Sequence, residues 1–383
     1  MRALQIDRKL TKFAAARIAG AITPGKGAKY GPVDLVDLSI PALPGPGWQV
    51  IKPRLSGICG SDLATIDGVA SRYFEPIVSF PFVPGHEVVA DTADGTRVVI
   101  VPVLTCVTRG IAPPCAQCQA GRINRCERIA FGHLEPGLQS GFCTDTGGGW
   151  STAMVAHDSQ IVTVPDDFSD EMAVLIEPMA CAVHAASRYR GQDTVVMGAG
   201  TVGLLTLAAI TAIRDKDRSG PIVVTARYPH QKALAKTFGA DVVCAPDELP
   251  RWVRSMTGAM AMNDQLTCGF DHIVDCVGSS ESIDQALKVV APGGDINLVG
   301  MPGKVSVDMT GLWHREVAIR GCYAYQRPDF DAAIEVIRRF DLGRLVSATY
   351  SLSDYREAIE HAASAGRRGA VKVAFDMRGE KNR

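Results

Sequence analysis

Residues 193–213 read DTVVMGAGTVGLLTLAAITAI, and their reading decides the fold of the second half of the chain. A short run of β-branched residues meets glycines, then continues without a single charge into a stretch suited to helix. Gly198, Gly200 and Gly203 fall in the spacing G-x-G-x-x-G between that predicted strand and that predicted helix. The pattern is weak alone; a strand before it and a helix after it give it weight. The first glycine permits a tight turn, the second lets backbone approach a pyrophosphate, and the third lets helix pack on strand. The helix start at Thr201, Val202 and Gly203 offers unpaired N–H groups and a partial positive charge to phosphates. Nucleotide binding is the expectation; the competing reading is a glycine-rich turn with no ligand.

Downstream, PIVVTA, PHQKALAKTFGA, DVVCA, DHIVDCVG, ESIDQALKVVA and DINLVGM keep up a strand–helix rhythm. That rhythm predicts an α/β doubly wound parallel sheet with helices on both faces. The second strand runs on as VVTARYPHQK. Where an acid usually grips the adenosine ribose hydroxyls stands Ala226, followed by Arg227. An acid repels a 2′-phosphate and an arginine pairs with it, so NADP(H) is expected over NAD(H). The bland alternative makes Arg227 a solvated loop residue. Upstream, the first third is rich in Gly and Pro, with strand-like runs such as WQVIKPRLSG, HEVVADT and TRVVIVPVL. Those runs predict a β-dominated domain of irregular barrel type. After Arg327, two amphipathic helices lead to a last strand, VKVAFDM.

Bulk properties bound the function. A chain of 383 residues is too long for one ordinary core and suits two domains. The formal charge of −1 provides no basic field for nucleic acid or anionic lipid, so neither is an expected partner. No apolar run approaches the ~18 residues of a membrane span. The N-terminal MRALQIDRKLTKFAAARIAGAI is basic and alanine-rich, but Arg17 interrupts its apolar run and no cleavage pattern follows, so neither export nor organelle import is expected. RALQI reads as a first strand. Eleven cysteines, an odd number with no secretory signal, argue for a reducing cytoplasm rather than a disulfide framework.

Four of those cysteines cluster in TCVTRGIAPPCAQCQAGRINRCE, residues 105–127. Cys115, Cys118 and Cys126 follow C-x2-C-x7-C, and Cys106 precedes them. Four thiolates close a tetrahedron around zinc and leave no place for substrate, so such a site is structural. Disulfide or free thiols are the competing readings. A second constellation is dispersed: Cys59 in GICGSD, His86 in PGHEVV and Glu177 in LIEPMACAVHA. A thiolate, an imidazole and a carboxylate make the mixed set of a catalytic zinc. Singly they read as a buried small hydrophobe, a core histidine and a helix-cap acid.

With GICGSD, PGHEVV, CAQCQAGRINRC, GGGWSTAMV, LIEPMACAVHA, GAGTVG, DCVGSSESIDQAL and APGGDINLVG in this order, nearly the whole chain resembles the zinc-dependent medium-chain dehydrogenase/reductase superfamily, on its sorbitol and threonine dehydrogenase branch. The resemblance implies a GroES-like β-rich catalytic domain at 1–186 with its structural-zinc lobe near 105–127. It also implies a Rossmann nucleotide-binding domain at 187–327 and a segment at 328–383 that returns to the catalytic domain. It places Cys59, His86 and Glu177 on the catalytic zinc, with Glu87 on the ion or just behind it. It makes Ser61 the group that takes the alcohol proton, sets Asp62 behind the ligands, and puts Val299 and Met301 beside the nicotinamide. Relatives often carry a histidine where this chain has Ala64, and place their first two lobe cysteines closer than Cys106 and Cys115.

The implied function is hydride transfer between an alcohol or polyol, or the matching carbonyl, and a nicotinamide dinucleotide, in a homodimer or homotetramer. Zinc-independent reduction of a C=C bond and a non-catalytic dinucleotide-binding protein are the alternatives. The segments RIAGAITPGKGAKYGPVDL and DGVASRYFEPIVSFPF are expected at the pocket or its rim, and Tyr73, Phe74 and Trp313 either line it or belong to the core.

Overall fold

WQVIKPRLSG, the longest strand-forming run of the first third, becomes the strand on which the first part of the protein is assembled. A computed structural model of the chain describes residues 1–262, 265–301 and 303–380. In chain order, β1 (Arg2–Ile6) and β2 (Val33–Asp37) form an antiparallel pair. They are followed by β3 (Trp48–Gly57), β4 (Val88–Asp91), β5 (Arg97–Ile100), β6 (Met154–His157) and β7 (Ile161–Thr163). The alternating segment supplies β8 (Thr194–Met197), β9 (Ile222–Thr225), β10 (Val242–Cys244), a two-strand hairpin of β11 (Ala261–Met262) and β12 (Gln265–Leu266), β13 (Phe270–Asp275), β14 (Val290–Leu298) and β15 (Ala318–Gly321). The last strands are β16 (Val346–Tyr350) and β17 (Lys372–Asp376).

Two compact units result: Met1–Glu177 together with the chain from Gln326 onward, and Pro178–Tyr325. The first division falls inside the helix Ile176–Ala186, whose far end was the expected boundary.

In the first unit a sheet runs β16-β17-β3-β4-β5-β7, with β6 also paired to β3. Ile51, Val88, Ala90, Val98, Ile100, Met154 and Ala156 fill its interior, each almost wholly buried. Alternation along each strand delivers these side chains to one face. The end of β3 is held on two sides: Gly57 N–H donates to Glu87 O at 2.9 Å, and Ile58 N–H to Val373 O at 3.0 Å. The C-terminal strand β17 therefore lies beside the residues that precede Cys59. A buried carboxylate ties the same segment down: Asp170 accepts from Arg54 at 3.0 Å, Arg97 at 3.3 Å and Arg378 at 3.2 Å. A carboxylate only 4 % exposed is tolerable there because three guanidinium groups compensate it.

One element lies outside the sequence reading. The basic, alanine-rich stretch forms a helix at Leu10–Ile22, as its alanine content favours. Its only buried residue is Ala16. The following turn is anchored by Asp67, which accepts from Gly25 and Gly27 N–H, each at 2.9 Å.

The second unit carries a wholly parallel sheet ordered β10-β9-β8-β13-β14-β15. Counted from β8, this is the doubly wound order 3-2-1-4-5-6. The helix Thr201–Ile213 is apolar nearly all round, and Gly203 through Ile210 are buried. A helix apolar on every face belongs inside, which explains why no charge interrupts it.

Candidate metal centre and dinucleotide site

In the first unit, β3 ends in Gly57, and the chain turns through Ile58 and Cys59 into the helix Gly60–Ile66. Cys59 is the N-cap of this helix, and its backbone N–H donates to Asp62 Oδ2 at 2.9 Å. The other oxygen of Asp62 faces His86 Nδ1 at 3.7 Å. Asp62, almost fully buried, thus fixes the backbone of one donor residue and sets a negative charge beside the ring of another. Burial pushes its carboxyl up from the ordinary value, against the opposing pull of His86 and the Cys59 N–H.

Cys59, His86 and Glu87 offer ligand atoms that all lie within 4.8 Å of one another. Burial alone would push the His86 imidazole down, yet Asp62, Cys59 and Glu177 outweigh it and hold it well above its ordinary value. The surroundings therefore favour positive charge at the centre of the cluster. Neither His86 Nδ1 nor Asp62 Oδ1 has a hydrogen-bond partner. One sulfur, one imidazole and one carboxylate in this space suit zinc among the common divalent ions. Glu177 is buried and close enough to act electrostatically on both His86 and Lys372, but its carboxylate is not among the atoms gathered within that distance. Ser61 lies in the first turn of the helix, half-buried.

Lys372 is the residue the sequence reading missed. Its ammonium forms an ion pair with Glu87, both side chains being 3 % exposed, and donates to Ile58 O at 3.1 Å. Burial would lower its pKa, but Glu87, Cys59 and Glu177 raise it above the ordinary lysine value. A lone lysine in the otherwise apolar VKVAF was the available signal.

The four lobe cysteines come together as well. Cys106, Cys115, Cys118 and Cys126 place their sulfurs within 4.8 Å of one another, with Cys106 and Cys126 3.7 Å apart. Cys106, despite its longer spacing, belongs to the set. Backbone N–H groups of Cys115 and Arg128 donate to sulfur at 3.3 and 3.4 Å. Burial pushes the Cys115 thiol up, but N–H donors from Glu127 and Cys118 outweigh it and bring it down to about 6. Burial pushes Cys118 and Cys126 up. Four thiols so close cannot all ionise without a cation among them, which is what a tetrahedral zinc supplies. Beneath the lobe, the wholly buried Arg109 donates to the carbonyls of Phe131 and Leu134, each at 3.1 Å.

In the second unit, β8 ends at Gly198, whose φ of +90° favours glycine and whose N–H donates to Thr225 Oγ1 at 2.9 Å. A Cβ added at Gly203 would collide with the Gly198 carbonyl, so helix and turn touch backbone to backbone. A Cβ at Gly200, the N-cap, would meet nothing within 4 Å. That open ground in front of the N-terminus of a largely buried helix fits a pyrophosphate. Thr201 and Val202 are half-buried in the first turn. Opposite, Asp275 at the end of β13 accepts from Val277 N–H at 2.9 Å and Gly278 N–H at 3.1 Å. These two strand ends flank the point where the strand order reverses, the usual ligand position in open α/β sheets. Ala226 is buried and Arg227 exposed, within electrostatic reach of Glu281. Val299 is half-buried, its N–H on Asp275 O at 2.9 Å, and Met301 is exposed. Tyr73 and Trp313 are 77 % and 78 % exposed, so neither is a core residue.

Comparison with known proteins agrees with this geometry. Residues 45–166 match the alcohol dehydrogenase GroES-like domain, and residues 206–339 match the zinc-binding dehydrogenase domain. The chain is 28 % identical to the L-idonate 5-dehydrogenase of Vitis vinifera over 88 % of its own length and 90 % of that protein. It is 28 % identical to the sorbitol dehydrogenase of Bacillus subtilis over 85 % of its length and 90 % of that enzyme. A putative zinc-binding dehydrogenase from Sinorhizobium meliloti, solved bound to NADP, shares the fold with a TM-score of 0.70 at 23 % identity, covering 90 % of this chain and 96 % of that one. With both domain types matched in order, the chain belongs to the zinc-type medium-chain dehydrogenase family.

Proposed function

We propose that the protein oxidises an alcohol or polyol, or reduces the matching ketone or aldehyde, by hydride transfer with a nicotinamide dinucleotide, NADP(H) in preference to NAD(H). The observation that carries this reading is the gathering of Cys59, His86 and Glu87 ligand atoms within 4.8 Å. C=C reduction needs no such donors. Bound there, zinc supplies Lewis acidity toward the substrate oxygen. Cys59 and His86 would hold the ion, with Glu177, which acts electrostatically on His86, as the third donor. Asp62 holds the Cys59 backbone in place, and Ser61 takes the hydroxyl proton as it passes its own to water. The dinucleotide would supply the hydride acceptor; Gly200 and the N–H groups of Thr201 and Val202 would hold its pyrophosphate, and Val299 and Met301 would flank its nicotinamide. In the lobe, Cys106, Cys115, Cys118 and Cys126 hold a structural zinc.

The substrate class follows the relatives, named for idonate and sorbitol. We place the enzyme in a cytoplasm, as a homodimer or homotetramer; an odd total of eleven cysteines supports a reducing setting. The deciding experiment presents a panel of alcohols and polyols to the metal-replete enzyme with NAD+ and NADP+ in parallel, following reduced cofactor by absorbance. Turnover of a secondary alcohol or polyol is expected. Enone reduction with no alcohol oxidised would overturn the reading.

Cofactor choice rests on Arg227, which stands exposed beside Ala226, the position at which an acid would exclude a 2′-phosphate. Arg227→Glu is expected to lower the NADP+/NAD+ ratio of kcat/KM by roughly tenfold to a hundredfold, the worth of one charge-assisted contact. An unchanged ratio would remove Arg227 from cofactor selection.

A further inference from the structure

Glu87 presents a contradiction in its surroundings. Its carboxylate lies within ligand distance of the Cys59 and His86 donors, yet it is also the ion-pair partner of a buried lysine. A carboxylate cannot give the same lone pairs fully to both. Lys372 is fixed where it is: β17 sets its backbone against β3, and its Nζ also donates to the carbonyl of Ile58, next to Cys59. Space around the pair is closed, since a Cβ at Gly57 would meet Lys372 Cε at 2.7 Å and collide with the Glu87 carboxylate. Neither side chain can swing away on the Gly57 side.

Resting on the reading that zinc binds at Cys59 and His86, we infer that Lys372 is a positioning residue that occupies Glu87 and keeps its carboxylate off the ion. A buried carboxylate without a compensating cation is costly, so removing the lysine turns Glu87 toward the nearest positive charge, which is the metal. Glu87 then competes with the substrate oxygen. The C-terminal strand thereby governs the reactivity of a centre whose ligands all come from the first half of the chain.

The test uses Co(II)-substituted protein, whose visible absorption reports ligand number and type. The signal followed is the part that Cys59→Ser removes, which separates it from the cysteine lobe. With Lys372 replaced by Met, that band should change shape, and cobalt loss to a chelator should slow on the order of tenfold, the usual scale for residues that tune metal ligands. Glu87→Gln alone should leave band and loss rate as in the unaltered protein, because Lys372 already holds Glu87 away. The double variant Lys372→Met/Glu87→Gln should return to the unaltered band. A Lys372→Met band identical to the parent, or a change that persists in the double variant, would overturn the inference. Should Lys372→Met not fold, Lys372→Gln takes its place: a changed band with slower cobalt loss upholds the inference, and a parental band and loss rate overturn it. A parent with no cobalt band sensitive to Cys59 would instead bring down the metal assignment itself.

Discussion

Cys59→Ser lowers turnover by roughly three orders of magnitude or more while leaving the protein folded, because the metal's share of the barrier amounts to several kcal/mol. The variant isolates chemistry from stability. Cys59 caps the helix Gly60–Ile66, and serine is among the best residues for that position, so the capping interaction with Asp62 survives. What disappears is the thiolate. Chelation should reproduce the loss, and re-addition of zinc should reverse it in the parent but not in the variant. Full turnover by protein shown to hold no metal at either site would end the proposed mechanism. Circular dichroism and thermal melting, recorded beside the kinetics, separate a lost ligand from a lost fold.

Two glycines of one motif should fail in opposite ways. Gly203→Ala places a methyl group against the Gly198 carbonyl, 2.9 Å from its carbon, and neither backbone can yield without separating the helix from β8. Overpacking of that kind costs about 1–3 kcal/mol when side chains can adjust, and more is expected here because the obstacle is backbone. The outcome is a lowered melting temperature together with cofactor affinity weakened on the order of a hundredfold, since the turn that cradles the pyrophosphate moves with the helix. Gly200→Ala meets nothing within 4 Å and sits at an ordinary φ of −77°, so it should fold normally. Its methyl group instead occupies the approach of the pyrophosphate. Titration of NADP+ by fluorescence, paired with thermal melting, distinguishes the two. Equal melting temperatures for both variants would refute the packing argument, and unimpaired binding by Gly200→Ala would refute the placement of the phosphates.

Much of this was legible from spacing. Gly198, Gly200 and Gly203 lie within one turn and one helix start, and Cys115, Cys118 and Cys126 lie within one loop, so local geometry alone brings them together. The parallel sheet followed from apolar strands alternating with helices. Other features were not legible. The helix Leu10–Ile22 buries only Ala16, so no inward-facing stripe announced it. Asp170 reads as an ordinary helix-start acid until three arginines from distant parts of the chain converge on it.

The amino-acid order by itself determined the glycine turn, the alternating sheet and three of the lobe donors, because each rests on residues whose neighbours in the chain are their neighbours in space; the dispersed Cys59, His86 and Glu177 were legible only through the motifs that carry the family resemblance. Tertiary structure alone decided how the donors are grouped. It admitted Cys106 to the lobe, set Glu87 rather than Glu177 beside Cys59 and His86, and brought Lys372 against Glu87 through the pairing of β17 with β3. The reason is physical: what a buried charge does depends on what is packed around it, and packing joins segments that the chain itself keeps far apart.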